Sequence, residues 1–235
     1  MSILAIDTAT QVSSVAVASR EKLSAELTVQ ASLMHSETLM PHVEQVLRMA
    51  GCRKEELEGI AVSIGPGSFT GLRIGLAAAK AMGYALSVPV VGVSTLEALA
   101  CHYPVPNVCV VCMLDAQKGN AYVGQYHWEN GVLVEVAPVV VQSLSEAIQS
   151  CAMAGEPVVL LGDVMQKKRD RLTLPANVAI APAHLVMPRA ACVAMRGLSR
   201  LAVGESDPIM TLEPCYIRRS EAEVLWEKRH AEAGK

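Results

Sequence analysis

The feature that most restricts how this chain can fold is a pattern that occurs once in each half. An apolar segment ends in Asp7, a short polar turn follows, and a second apolar segment contains Val15. The same arrangement recurs with Asp115 and Val123, at a constant offset along the chain. Two apolar segments joined by a short polar turn predict a pair of buried strands. The repeat therefore predicts two lobes built on one plan, and 235 residues suffice for two lobes of about 100 residues each.

The first half continues this plan with alternating strands and helices. Its strand-like apolar runs cover residues 2–7, 12–18, 23–29, 60–64 and 88–93. Helical periodicity lies between the third and fourth runs, where Gly51 ends it, and again over 70–86. The predicted order is β-β-β-α-β-α-β.

The second half repeats the opening of this order. After its hairpin come a third strand at 132–141, a helix at 143–154 and a fourth strand with its exit loop at 157–163. Such a duplicated pattern is typical of ribonuclease-H-like folds, and in the actin-like ATPase superfamily two such lobes hold nucleotide between paired aspartate turns. We therefore predict an α/β fold with two ribonuclease-H-like lobes of this superfamily, each a mixed sheet flanked by helices.

The prolines of segment 101–106 interrupt regular structure and predict the link between the lobes. The predicted lobes are residues 1–103 and 104–235. The final helix of the second lobe could pack back on the first.

The composition restricts where the chain acts. The net charge is −3, and the Lys and Arg runs are short, so strong binding of nucleic acid by this chain alone is not expected. No apolar run reaches the roughly 18 residues of a membrane span, and the segment Met1–Asp7 lacks the basic region of a signal peptide. We therefore expect a cytoplasmic protein that does not enter a membrane.

The seven cysteines show no spacing typical of a disulfide framework, which fits a reducing compartment. Cys109 and Cys112 form the one close pair, in an apolar run that predicts a buried strand. Because residues three apart on a strand point to opposite faces, we expect neither a redox pair nor a shared metal site there.

The segment Ser63–Gly75 joins a predicted strand to a predicted helix through a glycine-rich loop, a place where backbone N–H groups can hold an anion. It matches neither the Walker A spacing nor the dinucleotide fingerprint, which has a glycine where Thr70 stands. Ser68 or Thr70 can cap the helix. Small residues then recur every fourth position on one helix face, at Gly71, Gly75, Ala79 and Gly83. Such a face suits close packing either on the chain's own sheet or on a helix of a second chain.

Four segments carry a resemblance to a known family: Ile6–Thr10, Ser63–Gly75, Ala79–Gly83 and Pro214–Arg218. They resemble the TsaB (YeaZ) family, the partner subunit in bacterial tRNA threonylcarbamoyladenosine (t6A) biosynthesis. This family is paralogous to TsaD, the catalytic subunit of the same pathway, which belongs to the glycoprotease (peptidase M22-like) family. The resemblance covers nearly the whole chain and is strongest over 61–99.

The resemblance implies a non-catalytic subunit that scaffolds and activates TsaD in a heterodimer, with TsaE joining as a third subunit. The complex transfers the threonylcarbamoyl group to the adenosine 3′ of the anticodon in tRNAs that read codons beginning with A. tRNA would be bound only through the complex, and the chain alone would form a homodimer. The implied docking surface lies on the two helices of the first lobe and consists of Leu39, Met40, Val43, Leu47, Gly71, Ile74, Gly75, Ala78, Ala79 and Met82.

The resemblance also implies that no metal or nucleotide is held by this chain, with ATP on TsaE and the metal on TsaD. Thr95 and Leu99 stand where TsaD has a pair of metal-binding histidines, and leucine has no lone pair to offer a metal. The turn after Asp115 departs from the family pattern at Gln117 and Asn120, which leaves its role open. The remains of a nucleotide cleft would comprise Asp7, Thr8, Gly65, Gly67, Asp115 and Gly162.

Weak or no binding of ATP is expected, because the first turn lacks glycine and the late loop has only Gly162. The alternative is an enzyme that acts alone. It would be either an actin-like kinase, with Asp7 and Asp115 holding Mg²⁺-nucleotide, or a metallo-glycopeptidase.

Overall fold

The first lobe of the computed structural model, which describes residues 1–30 and 35–217, is built on a five-stranded sheet in the order β3-β2-β1-β4-β5. Its strands are β1 (Ser2–Asp7), β2 (Val12–Ser19), β3 (Leu23–Gln30), β4 (Gly59–Gly65) and β5 (Val90–Ser94). The first three pair antiparallel, whereas β4 and β5 are parallel to β1. The central strands β1 and β4 are buried along nearly their whole length because both faces of the sheet are covered.

The helices of this lobe divide between the two faces. The helices α1 (His35–Ala50) and α2 (Phe69–Leu86) cover the face to which Leu4 and Ile6 contribute. The opposite face, with Ile3 and Ala5, is covered by α3 (Thr95–Ala100) and by α6 (Ala190–Ala202).

The proline that falls within the first helical pattern lies inside α1, past its first turn. Pro41 is in the second turn of α1, where its ring removes one backbone donor.

The second lobe repeats the topology of the first, with a five-stranded sheet in the order β10-β9-β6-β7-β8. Its strands are β6 (Cys109–Asp115), β7 (Asn120–Glu129), β8 (Val132–Ser143), β9 (Val158–Leu161) and β10 (Val178–Ile180). The helices are α4 (Leu144–Ala152) and α5 (Asp163–Lys168). As in the first lobe, three antiparallel strands are followed by parallel ones, which confirms the predicted pair of ribonuclease-H-like lobes.

The chain returns to the first lobe after β10. Helix α6 packs on the first sheet, Asp207 donates its N–H to the carbonyl of Val90, and Cys215 donates to Ile64. The segment 190–216, which belongs to the predicted range 104–235, therefore packs on the first lobe. Residues 218–235, including Arg218 of the fourth quoted segment, lie outside the described part of the chain.

No helix within the described ranges has both the length and the apolar character needed to cross a bilayer.

Candidate functional site

The turn after β1 is held by the carboxylate of Asp7, which is fully buried. One carboxylate oxygen accepts a hydrogen bond from the Ser63 hydroxyl, and the other accepts the Ala9 N–H at 3.1 Å. Burial raises the pKa of Asp7 above its ordinary range, although both hydrogen bonds act in the opposite direction. Both oxygens therefore serve the turn itself and are turned inwards.

The glycine-rich loop between β4 and α2 lies directly against this turn. Ser68 donates its backbone N–H to the carbonyl of Ala9 at 2.7 Å, and its hydroxyl accepts the N–H of Gly71 as the helix cap. A Cβ atom at Gly67 would come closer than 3.0 Å to the backbone of Ala9. The glycines thus let the chain's own first turn occupy the place next to the loop, where a phosphate would lie in a nucleotide-binding protein.

The stripe of small residues on α2 faces the first lobe itself. A Cβ atom at Gly71 or Gly75 would overlap the backbone carbonyl or the side-chain oxygen of Thr8, and one at Gly83 would overlap Val90. Ala79 is fully buried in the same core. Of the two uses that the sequence allowed for this stripe, the structure has the packing on the chain's own sheet.

Five residues of the predicted docking surface are consequently misplaced, because they are buried inside the lobe: Leu39, Val43, Gly71, Gly75 and Ala79. The reason is that the most regular apolar stripe of a surface helix is the stripe that faces its own core. The other predicted residues retain exposed surface. Met40 is 51% exposed, and partly buried side chains are found at Leu47, Ile74, Ala78 and Met82.

The second aspartate turn, after β6, is occupied by a lysine. The Lys167 ammonium donates to Asp163 at 2.8 Å and to Asp115 at 3.2 Å, so one cation joins both carboxylates. Asp163 in turn accepts the Asp115 N–H at 2.9 Å, and Gln117 donates its N–H to Asp115.

These contacts set the ionisation of the second turn. Burial alone would raise the pKa of Asp115, but the Gln117 N–H and Lys167 outweigh it and lower that pKa below its ordinary value. Burial by itself would lower the pKa of Lys167, but the carboxylates of Asp163 and Asp115 outweigh this effect and raise that pKa.

The backbone conformation and the close packing of the loop after β9 require a glycine at position 162. Gly162 has φ +118°, and a Cβ there would overlap the backbone of Met113 in β6. The predicted cleft residues therefore lie at the ends of four strands, β1, β4, β6 and β9, where the chain's own groups pack against them. Gly65 is also buried, with φ +119°, and a Cβ there would come closer than 3.0 Å to the carbonyl of Cys215.

The position of the TsaD histidine pair is fully buried. Thr95 and Leu99 lie on α3 and are inaccessible to solvent, and the Thr95 hydroxyl has no hydrogen-bond partner among the described residues. Glu97, the remaining acidic group of this helix, forms an ion pair with Arg196 of α6. The carboxylate therefore joins two helices of the first lobe.

Three side chains that hold these turns belong to no functional motif of the sequence. Ser63 lies in the glycine-rich segment and Lys167 in a short basic run, and neither pattern marks the residue as a partner of an aspartate. His35 binds the first turn through its imidazole Nε2, 2.8 Å from the carbonyl of Thr10. The i, i+4 spacing of Asp163 and Lys167 was the one local signal available.

A stacked aromatic pair lies where α2 begins. The rings of Phe69 and Tyr216 are 4.9 Å apart, and the Arg73 guanidinium lies 3.9 Å from the Phe69 ring centre. Arg73 also donates to the Tyr216 hydroxyl at 2.9 Å. This contact joins two of the segments on which the resemblance depends, although they are far apart in the chain.

Comparisons with known proteins agree on one family. The model for "TsaD: tRNA N6-adenosine threonylcarbamoyltransferase" matches residues 27–226. The tRNA threonylcarbamoyladenosine biosynthesis protein TsaB of Bacillus subtilis is 32% identical over 230 residues, which are 96% of this chain and 98% of that protein. TsaB of Escherichia coli is 29% identical and covers 97% of this chain and 98% of its own length.

A solved structure gives the same result. The crystal structure of a Pseudomonas aeruginosa protein described as similar to peptidase YeaZ superposes with a TM-score of 0.78 and 25% identity. The match covers 92% of this chain and 99% of that one. Because the family model matches residues 27–226 and a curated relative covers 96% of the chain at 32% identity, the chain belongs to the TsaB (YeaZ) family within the wider TsaD family.

Proposed function

We propose that this chain is a non-catalytic partner subunit in the formation of t6A in tRNA. In this role it binds a TsaD subunit, which it scaffolds and activates, and a TsaE subunit joins the pair. The complex transfers the threonylcarbamoyl group to the adenosine 3′ of the anticodon in tRNAs that read codons beginning with A. ATP then belongs to TsaE and the metal to TsaD, and the chain contacts tRNA only within the complex.

The observation that carries the proposal is that both aspartate turns are filled from within. Asp7 has its two oxygens bound by Ser63 and Ala9, and Asp115 is joined to Lys167. An ATPase of this superfamily needs open turns at which Mg²⁺ and phosphate oxygens can approach the carboxylates. Because these carboxylates are bound by groups of the chain itself, they support a structural role for the subunit.

The outward-facing part of α1 and α2 is the proposed docking surface. It consists of Met40, which is exposed, and of Leu47, Ile74, Ala78 and Met82, which pack against the edge of the core and keep part of their surface exposed. Methionine side chains adapt to irregular partner surfaces, and small residues let a second helix approach closely. Without a TsaD subunit, the same surface would pair with its copy in a homodimer.

The charge of α2 supports this assignment. The helix carries two charged residues, and each is engaged within the chain. Lys80 donates to the carbonyls of Met210 and Leu212, and Arg73 stacks on Phe69. Depletion of free charge is typical of the core of a protein–protein interface.

Reconstitution of tRNA modification tests the proposal. Purified TsaD and TsaE are incubated with substrate tRNA, ATP, threonylcarbamoyl adenylate as the donor and either the wild-type chain, Asp115→Asn or Met82→Arg. We expect no modification without the chain, near wild-type rates with Asp115→Asn and a loss of at least about tenfold with Met82→Arg. A full rate without the chain would overturn the proposal, as would a complete loss with Asp115→Asn in a folded protein, because that loss would indicate a catalytic carboxylate.

A further inference from the structure

The edge of the second sheet at which β6 begins brings together a thiol, an imidazole and a carboxylate. Cys109, His127 and Glu156 each have a ligand atom within 4.8 Å of the other two. His127 Nε2 lies 3.0 Å from a Glu156 carboxylate oxygen. This group lies in the second lobe, on residues other than those of the two aspartate turns and the docking surface.

Three separate segments supply these side chains, and the sheet fixes their positions. The antiparallel register that pairs Val110 with Tyr126 places Cys109 opposite His127, so both side chains lie on the same face. Cys109 also donates its backbone N–H to the carbonyl of Pro157 at 2.9 Å, which holds the residue after Glu156 beside it.

The loop that carries Glu156 is itself anchored. The side-chain amide of Asn177 donates to the carbonyl of Glu156 and to the carbonyl of Cys151 at the end of α4, both at 3.0 Å. The carboxylate therefore projects from a backbone that is tied to a helix and to the entrance of β10. Such preorganisation is what a metal site needs from its surroundings.

We propose that Cys109, His127 and Glu156 form a zinc site that joins β6, β7 and the loop before β9. Thiolate, imidazole and carboxylate together are the ligands of Zn²⁺, whereas Mg²⁺ and Ca²⁺ take oxygen ligands. In a tetrahedral zinc site neighbouring ligand atoms are about 3.5 Å apart, so small side-chain rotations close the group around an ion.

The burial of the three residues suits a site that an ion can enter. Cys109 is buried, whereas the His127 and Glu156 side chains are 29% and 34% exposed. Water can therefore reach the open side and complete the coordination as a fourth ligand. Because the ligands come from three segments, a bound ion would stabilise the second lobe against unfolding.

Metal titration of the full chain tests the proposal. The protein is freed of metal with a chelator and titrated with Zn²⁺ in competition with a chromophoric chelator, and in parallel with Co²⁺ as a spectroscopic probe. We expect one equivalent of metal, a thiolate-to-cobalt charge-transfer band, and visible absorption of the intensity typical of tetrahedral Co²⁺. Cys109→Ser and His127→Gln should each lower zinc affinity at least about 100-fold, since loss of a second-shell group alone costs roughly 10–100-fold.

Matched controls remove a cysteine and a histidine elsewhere. Cys215→Ser and His184→Gln change exposed residues far along the chain and should leave affinity and spectra unchanged. Should Cys109→Ser fail to fold, Glu156→Gln at the exposed side of the site should still lower affinity at least about 100-fold, as expected for loss of a ligand, while it keeps the cobalt–thiolate band. The absence of stoichiometric metal, or wild-type affinity in both His127→Gln and Glu156→Gln, would overturn the proposal and leave a His127–Glu156 ion pair beside a buried thiol.

Discussion

The hydroxyl of Thr8 donates a hydrogen bond to the carbonyl of Gly71 at 2.7 Å, in the buried contact between the loop after β1 and the beginning of α2. This bond joins two segments 63 residues apart. The contact explains why glycine stands at position 71 without any need for a bound phosphate. Only a residue without a side chain lets the loop after β1 approach α2 so closely.

Substitution of Gly71 by alanine should destabilise the fold. The added methyl group would overlap the backbone of Thr8, and such overpacking typically costs about 1–3 kcal/mol. Urea unfolding of Gly71→Ala measures the loss. Ala77→Ser, at an exposed position of the same helix, is the control and should change the free energy of unfolding by less than about 0.5 kcal/mol. Equal stability of Gly71→Ala and wild type would contradict the close packing.

The docking surface should respond to charge without loss of the fold. Ala78→Arg and Met82→Arg place a charge on partly exposed positions and should weaken binding to TsaD at least about tenfold, or ~1.4 kcal/mol. Calorimetry or surface plasmon resonance gives the affinity. Met195→Arg, on the opposite side of the first sheet, is the matched control because this methionine is 49% exposed. Unchanged affinity in both α2 variants would remove this surface from the interface.

The stability of the Asp7→Asn variant, measured relative to that of the wild type, should increase as the pH rises. A carboxyl whose pKa is raised in the folded state stabilises the protein below its ordinary value of 3.8 and loses that contribution as the pH rises through its folded pKa. Asparagine carries no charge to bury, so the stability of Asp7→Asn relative to wild type should increase from about pH 4 towards neutral. Unfolding curves across this range measure it. A difference that is constant with pH would show that Asp7 does not titrate on folding in this window.

The Lys167 contact should show the opposite pH dependence. The pKa of Asp115 is lowered in the folded state, so its contribution is present above the ordinary value of 3.8 and is lost as the pH falls through its folded pKa. Lys167→Gln should therefore destabilise the protein by about 1–3 kcal/mol at neutral pH, because it also leaves the buried carboxylate of Asp163 without its ammonium partner. The loss should shrink at about pH 3. The double variant with Asp115→Asn isolates the pair, and a coupling energy of zero would contradict the contact.

The chain alone should bind ATP weakly or not at all. Lys167 holds the second aspartate turn, and the turn after Asp7 lies where phosphate would approach the glycine-rich loop. Calorimetry with ATP and Mg²⁺ on the purified chain checks this. Binding with micromolar affinity would favour the alternative of an independent actin-like kinase, and peptide cleavage that requires a metal would favour a glycopeptidase.

The order of strands and helices could be predicted from the sequence because apolar periodicity acts over a few residues at a time. The strand β1 and the helix α2 were both predicted within a few residues of their observed ends. The resemblance identified the family for a related reason, since its motifs are short and contiguous.

The partners of those segments could not be predicted in the same way. The direction of the small-residue stripe depends on Thr8, and the role of Cys109 depends on His127 and Glu156, all remote along the chain. In the sequence Cys109 is close only to Cys112, three residues away, whereas its side chain lies near residues of another strand and of the loop before β9.

The sequence by itself determined the two-lobed plan, the pairing of apolar strands and the membership of a family, because local periodicity and contiguous motifs carry that information. The tertiary structure decided which face of α2 is buried, that Lys167 occupies the second aspartate turn, and that three metal-binding side chains meet at one sheet edge. The physical reason is that burial and contact between distant segments depend on how strands pair and helices pack, and a linear pattern does not specify which of its apolar faces will be covered by the chain itself.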